Sequence, residues 1–525
     1  MIGVAIGLLG IAWIGMGSVI FGEPVFTRFP ELYLTTSALV MFFALIIGMA
    51  VATINIPAQT IVQERSNDAV RGRVLAVQFT IANAVAIPPM LLIGHLADLY
   101  GIPRVTVLVA VGVAGVAGVT RYGHSRPIVP RARGTCARDS GLADTTVTTS
   151  SPQRILFLFS DTGGGHRSAA EAIISALARQ YPDRYTCTLI DVFKRAARFP
   201  LNYAPEMYLP FTTYLEWLWG LGFWVLNNRI ATRLVKPYLY VSILPRLRAL
   251  LRAAQPDLVV STHPIFVSLG YRALRQSGSR APFVTVVTDL FDAHCFWFDP
   301  RVDLCLVPTA GAYRVAQRFG MPAEKLRSVG QPIALQFADS HLSQRAARQK
   351  LGLDLERPTV LLVGGGEGMG PLYTIARALD EAHLPIQLVV IAGRNQKLLE
   401  KLRATQWHLP VHCVGFVTNM PEWMRAADVI ITKAGPGTIC EALACGLPIV
   451  LSGYLPGQET GNVTFVEQTG VGVLRRHPGE IVHTLREWLA PGNDALARYA
   501  ARAREQARPY AAIDIARILN DLLAQ

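Results

Sequence analysis

Two glycine turns in this chain carry the residues that could bind and transform a phosphorylated ligand. One is Lys433-Ala434-Gly435-Pro436-Gly437-Thr438-Ile439-Cys440-Glu441. The apolar run Asp428 to Thr432 before it reads as a buried strand, and Ile439 to Cys445 after it reads as a helix. A Gly-Pro-Gly turn between the two leaves backbone N–H groups open at a helix N-terminus. Those donors and the helix dipole hold a phosphate. Glu441, one turn into the helix, is placed to hydrogen-bond a vicinal diol such as a ribose. The other turn is Asp161-Thr162-Gly163-Gly164-Gly165-His166-Arg167, which follows the strand Arg154 to Ser160. Its glycines let a substrate approach the backbone. The helix dipole disfavours protonated His166. A neutral imidazole beside a substrate hydroxyl can act as general base, and a His in a glycine turn also serves as a structural hydrogen-bonder.

The elements around these turns alternate strand and helix. In the first half, Asp257 to Ser261 leads to Thr262-His263-Pro264, and Phe283 to Thr288 leads to Asp289 and His294. In the second half, Thr359 to Val363 leads to Gly364-Gly365-Gly366-Glu367-Gly368-Met369-Gly370. Leu388 to Ala392 leads to Gly393-Arg394-Asn395, and Val411 to Phe416 to Val417-Thr418-Asn419-Met420. Pro448 to Leu451 leads to Pro456-Gly457-Gln458-Glu459-Thr460-Gly461-Asn462-Val463. That rhythm predicts two doubly wound α/β domains, residues 153–335 and 336–525. Ligands of such sheets bind beyond the carboxyl ends of the strands.

The chain has 525 residues, 51% hydrophobic and only 17% charged, with net charge +13. Ordinary soluble domains carry about 25% charged residues. The deficit lies in residues 1–121, where Ile2 to Gly22, Leu34 to Ile54, Val74 to Ile93 and Val105 to Thr120 read as four transmembrane helices. Arginines cluster between the second and third runs and after the fourth, which predicts a multi-pass cell-membrane protein with cytoplasmic catalytic domains. Residues 122–152, rich in Pro, Arg, Gly, Ser and Thr, read as a linker. The positive charge suits an anionic membrane surface or a phosphorylated ligand, and no nucleic-acid recognition motif is present. The seven cysteines form no CxxC pair, as expected of reduced thiols.

Residues 193–250 bring Phe199, Tyr203, Tyr208, Phe211, Tyr214, Trp217, Trp219, Phe223 and Trp224 together, flanked by Arg195, Arg198, Arg229, Arg233 and Lys236. That mixture predicts an interfacial surface against anionic lipid, with an apolar acceptor groove.

Taken together, the two glycine turns, the Gln458-Glu459 stretch and the doubly wound halves resemble a GT-B glycosyltransferase, and most closely the monogalactosyldiacylglycerol synthases. The resemblance covers residues 154–520. It implies transfer of galactose from UDP-galactose to the 3-hydroxyl of diacylglycerol; processive diacylglycerol glucosyltransferases share most of the motifs. His166 is implied as base with Asp289 assisting. Gly365 and Gly366 together with Gly435, Pro436, Gly437 and Thr438 are implied to hold the UDP diphosphate. Phe416, Val417 and Met420 would frame the uracil, Glu441 the ribose, and Gln458 and Glu459 the sugar hydroxyls. Gly165 and Trp297 would belong to the acceptor side. No cofactor is implied, and without an Asp-x-Asp triplet no metal is expected. Thr464 departs from the family, whose galactosyl members often have Pro there, and the N-terminal helices depart from its usual peripheral membrane binding. The stretch Gln63 to Val74 resembles a cytoplasmic loop of the major facilitator superfamily. It implies a membrane anchor left by a gene fusion or a misplaced gene start, since a third of that fold cannot form an alternating-access path.

Overall fold

The computed structural model describes residues 152–199, 201–214, 216–340 and 342–524. The chain divides into two units, Met1–Thr145 and Thr146–Gln525, and the described residues belong to the second. The four expected membrane spans, the transporter-like stretch and the linker as far as residue 151 lie outside the described residues.

Two six-stranded sheets, parallel throughout, form the framework. The first holds β1 (Gln153–Phe159), β2 (Tyr185–Asp191), β3 (Leu258–Ser261), β4 (Phe283–Val286), β5 (Leu304–Val307) and β6 (Leu326–Ser328) in the order 2-1-3-4-5-6. The second holds β7 (Thr359–Val363), β8 (Gln387–Ile391), β9 (Val411–Val414), β10 (Val429–Lys433), β11 (Ile449–Gly453) and β12 (Gly472–Leu474) in the order 12-11-10-7-8-9. Inner strands such as β3, β4, β7 and β8 are buried along their whole length. Continuous Val, Leu and Ile runs suit them because helices cover both faces of a parallel sheet. Each half is therefore a Rossmann-like lobe, and the pair is GT-B-like.

Strand order reverses between β1 and β3 in the first lobe and between β7 and β10 in the second. The loops leaving the strands on either side of such a point diverge and leave a crevice. The helices that bear on these crevices are α1 (Gly165–Gln180), α2 (Ala204–Tyr214), α3 (Glu216–Leu226), α4 (Arg229–Ala254), α5 (Pro436–Ala444), α6 (Thr460–Gln468) and α7 (Ala511–Ala524). The last of these returns to the first lobe, where Ala512, Ile515 and Leu519 are buried with Ile155, Phe157 and Ile173.

Among the described residues no helix is long and apolar enough to cross a membrane. The apolar α3 has 11 residues, against the roughly 20 that a span requires. With 26 residues α4 is long enough, but it carries Arg233, Lys236, Arg246, Arg248 and Arg252. A multi-pass placement thus finds no support in the described part of the chain.

The lobes meet through the loop after β4 and the start of α6. Asn462 is buried there. Its side-chain oxygen accepts the Leu290 N–H at 3.1 Å and its amide donates to the Ala434 carbonyl at 2.9 Å, linking the first lobe to the turn after β10. Gly461 allows the approach, because a Cβ there would lie 2.4 Å from the Asp292 nitrogen. We expect Asn462→Leu to strand both backbone groups at a cost of about 1–3 kcal/mol each. Urea unfolding measures this, and a variant as stable as the parent would show that Asn462 does not join the lobes.

Candidate active site

On the first-lobe side, β1 ends in a turn whose Gly163 and Gly164 have φ of 77° and 79°, and α1 begins at Gly165. His166 in the first turn of α1 is half-buried at the β1/β3 reversal. Its Nδ1 lies 3.1 Å from the Thr288 hydroxyl after β4. Its ring meets that of His263, after β3, edge-on at 4.6 Å, and its backbone carbonyl accepts the Thr262 hydroxyl at 3.0 Å. Burial lowers the His166 pKa to about 4, although a contact with the Thr262 backbone acts the other way. His263 is held well below its usual value, first by burial and then by His166. Both rings are therefore neutral at physiological pH, and the one poised in the crevice can accept a proton.

Trp297 is fully buried and donates its indole N–H to Asp289 at 2.6 Å. Its ring also lies 6.0 Å from that of His166, so the imidazole and the carboxylate share one aromatic support. Burial raises the Asp289 pKa to about 6; the Trp297 bond opposes this, and the charges of Glu459 and Asp292 add to it. Asp289 therefore loses its proton much nearer neutrality than an ordinary carboxyl does.

On the second-lobe side, the turns after β7 and β10 flank the β7/β10 reversal. The first i to i−4 bond of α5 is Ile439 N–H to the Gly435 carbonyl at 3.1 Å, so the Gly437 and Thr438 amides before it are open. Pro436 fits the first helical position, where no N–H is missed. Gly365 and Gly366 lie in the facing turn, tied to β8 by Arg394 N–H to the Gly366 carbonyl at 2.9 Å. Glu441 is half-buried, and no side-chain hydrogen bond engages its carboxyl among the described residues. Burial alone raises its pKa to about 7. This carboxyl lies one turn beyond the start of α5. Phe416 is 52% exposed with the Arg394 guanidinium 4.4 Å from its ring centre, and Val417 and Met420 beside it are half-buried.

The α2–α3 insertion of the first lobe reaches the second. Tyr208 of α2 covers Gly163, and its hydroxyl lies 3.5 Å from Gln458 Oε1. Gly220 and Phe223 of α3 pack on Pro456 and Gly457. Glu459, next along that turn, is buried; it accepts Lys433 Nζ at 2.7 Å and Leu455 N–H at 2.9 Å.

Motif reading singled out most of these residues but not Lys433, Thr288, Asn462 or Tyr208. Lys433 and Asn462 both stand in the glycine-bearing stretches, and for Lys433 the signal is its place as the last residue of a strand at a reversal. Tyr208 stands in the aromatic stretch expected at an interfacial surface, but it is buried against Gly163 and Gln458, partners distant in sequence. The described residues contain no group of three His, Cys, Asp or Glu that could hold a metal ion.

The family described as "Monogalactosyldiacylglycerol (MGDG) synthase" matches residues 166–333, and "Glycosyltransferase family 28 C-terminal domain" matches residues 359–512. Neither match reaches the transporter-like segment, which gains no support. The monogalactosyldiacylglycerol synthase of Spinacia oleracea is 38% identical over 384 residues, 71% of this chain and 73% of its own. Monogalactosyldiacylglycerol synthase 1 of Arabidopsis thaliana is 35% identical over 419 residues, 78% of each chain. Among solved structures, that of Acinetobacter baumannii MurG aligns at 17% identity and TM-score 0.46, covering 70% of this chain and 100% of that one. Both plant relatives are named as chloroplastic. Together with the lack of a spanning helix among the described residues, this overturns the expected placement as a multi-pass cell-membrane protein with cytoplasmic catalytic domains.

His294, in the loop after β4, is another buried imidazole. Its ring is stacked on Phe296 and edge-on to Phe223, with Nδ1 accepting the Phe296 N–H at 3.2 Å. Burial lowers its pKa from 6.5 to about 4. The unfolded chain therefore takes up the proton first as pH falls, and folding stability is lost from pH 6.5 down towards 4. One such group contributes up to about 3 kcal/mol. His166 and His263 act with the same sign, while Asp289 and Glu441, whose pKa values are raised, act with the opposite one. His294→Asn keeps an acceptor that does not titrate. The stability difference between parent and variant is expected to shift towards the variant by up to about 3 kcal/mol between pH 7 and 4. Parallel curves in urea would show that the His294 ring is not held neutral.

Proposed function

Because the chain belongs to the monogalactosyldiacylglycerol synthase family, we propose that it transfers galactose from UDP-galactose to the 3-hydroxyl of 1,2-diacylglycerol. The observation that carries this reading is the pairing of a neutral His166 in one crevice with an unpartnered Glu441 carboxyl in the other. The acceptor hydroxyl attacks the anomeric carbon while its proton passes to the His166 imidazole. Asp289, held by Trp297, stabilises the imidazolium as it forms. The bond from the anomeric carbon to the diphosphate oxygen breaks, and its electron pair leaves with UDP. The Gly437 and Thr438 amides and the Gly365–Gly366 turn receive that charge, a preorganised arrangement that needs no reorientation during the step. Glu441 takes the ribose hydroxyls, Phe416, Val417 and Met420 frame the uracil, and Gln458 and Glu459 meet the sugar. Single displacement gives a β-linked product.

Assays with UDP-galactose and UDP-glucose in turn, each with diacylglycerol, test the assignment. Faster glucose transfer would replace it with the diacylglycerol glucosyltransferase reading. His166→Ala is expected to lower turnover by about 10²–10⁴ at unchanged UDP affinity. Glu441→Ala is expected to weaken UDP binding roughly ten- to a hundredfold. Near-normal turnover in His166→Ala would move the base to Asp289.

Diacylglycerol lies in a bilayer, so the acceptor side must meet a membrane surface. Of the ten large apolar side chains exposed among the described residues, eight (Tyr203, Met207, Trp217, Leu221, Trp224, Val225, Tyr238 and Val241) fall within residues 203–241; the others are Phe416 and Tyr510. Trp217 is 68% and Trp224 75% exposed. Exposed Arg195, Arg198 and Arg233 accompany them, which suits anionic headgroups. Replacing Trp217 and Trp224 by Ala together is expected to weaken binding to phosphatidylglycerol vesicles about tenfold or more. Folding stability should change by no more than about 0.5 kcal/mol, because both rings face outward. Undiminished sedimentation with vesicles would remove α3 from the docking surface.

A further inference from the structure

Lys433 is the last residue of β10, at the β7/β10 reversal. Its stem lies between the two glycine turns: its Cε is 3.9 Å from where a Cβ would stand at Gly365, and equally from where one would stand at Gly435. The ammonium carries three N–H donors. One goes to Glu459 Oε1 at 2.7 Å, and no acceptor for the other two is found among the described residues. The open Gly437 and Thr438 amides begin the helix that follows three residues later. Glu459 is fixed by its second oxygen, which accepts the Leu455 N–H, and its side chain is only 5% exposed against 26% for Lys433. The carboxylate is thus an anchor, and the ammonium is the part of the pair that faces the crevice.

We propose that Lys433 is a catalytic residue whose ammonium bonds the diphosphate of the sugar-nucleotide donor and stabilises the negative charge that gathers on it as the glycosyl bond breaks. The only proton released, that of the acceptor hydroxyl, goes to His166 on the opposite lobe. Glu459 is the positioning residue that aims the ammonium. In the free protein the ammonium and the Glu459 carboxylate offset each other's charge. The donor brings the anion that the two unused donors lack. Charge on the leaving diphosphate grows in the transition state, so this contact strengthens during the step rather than on binding alone. The inference rests on the activity proposed above.

The experiment separates this role from that of a structural ion pair by comparing UDP with uridine. The doubly neutral Lys433→Gln/Glu459→Gln keeps the pair's shape and leaves no lone charge, and Glu459→Gln leaves only the partly exposed Lys433 ammonium without its carboxylate. Calorimetry is expected to show UDP binding at least about tenfold weaker in the double variant than in Glu459→Gln, with uridine affinity equal in the two. Turnover is expected to fall by a larger factor than UDP affinity, and Lys433→Arg to restore part of both. A UDP-to-uridine affinity ratio unchanged between the two variants overturns the proposal and leaves Lys433 as the structural partner of Glu459. A parallel fall in UDP and uridine affinity also overturns it, by placing the effect in the fold. Failure of the parent to move galactose from UDP-galactose to diacylglycerol would instead sink the proposed function.

Discussion

Parallel strand pairing is the constraint from which this architecture follows. Every strand of a parallel sheet presents its carboxyl end on the same edge, so every connecting turn that could carry chemistry is gathered there. Two such sheets, ordered 2-1-3-4-5-6 and 12-11-10-7-8-9, each open a crevice where the order reverses. His166 and His263 leave β1 and β3 at one reversal; Gly365 and Lys433 lie at β7 and β10 at the other. Asn462 ties the loop after β4 to the turn after β10, so the two edges are held by a buried side chain rather than by chain connectivity alone.

The two crevices differ in electrostatics for reasons visible in their linings. The first is made of aromatic and hydroxyl groups: Phe193 and Phe266 around His263, Thr288 against His166, Trp297 beneath Asp289. Apolar walls withdraw water, which lowers the imidazole pKa values and raises that of the carboxyl. The second is made of amides and charges: open helix N–H groups, Lys433 on Glu459, Arg394 on Glu367 and over Phe416. One lobe suits proton transfer and the other suits an anion, and the division arises from which side chains follow each strand.

Much of this was legible in the sequence because buried parallel strands are continuous apolar runs. Thr359 to Val363 reads as a strand and is one, and Asp428 to Thr432 is within a residue of β10. The strands that apolar runs do not reveal are mostly edges. Tyr185–Asp191 alternates half-buried and exposed residues over most of its length, and β6 and β12 have three residues each at the ends of their sheets. The glycine turns were legible through composition, and with them His166 and Glu441. What stayed hidden depends on long-range packing. Trp297 could be marked as a residue of interest, but that its indole would be buried on Asp289 follows only from the folded loop. The return of α7 to the first lobe is equally invisible, because its apolar residues would suit either core.

The α3 helix shows how one short segment serves two surfaces. Its outward residues Trp217, Leu221, Trp224 and Val225 recur at helical spacing. Gly220 and Phe223 between them face inward onto Pro456 and Gly457. A helix whose apolar residues all sought one core would bury Trp217 and Trp224 as well, whereas here one apolar face packs inward and the other is exposed. Only the absence of a side chain at Gly220 lets the helix come so close, since a Cβ there would stand 2.8 Å from that of Pro456. The inward contacts fall on the turn that continues into Gln458 and Glu459, and Tyr208 extends the same packing to Gly163 beside His166. The inward face of α3 thus packs directly on the Pro456–Gly457 turn, while Tyr208 of the neighbouring α2 packs on Gly163, so the α2–α3 insertion touches a turn of each lobe.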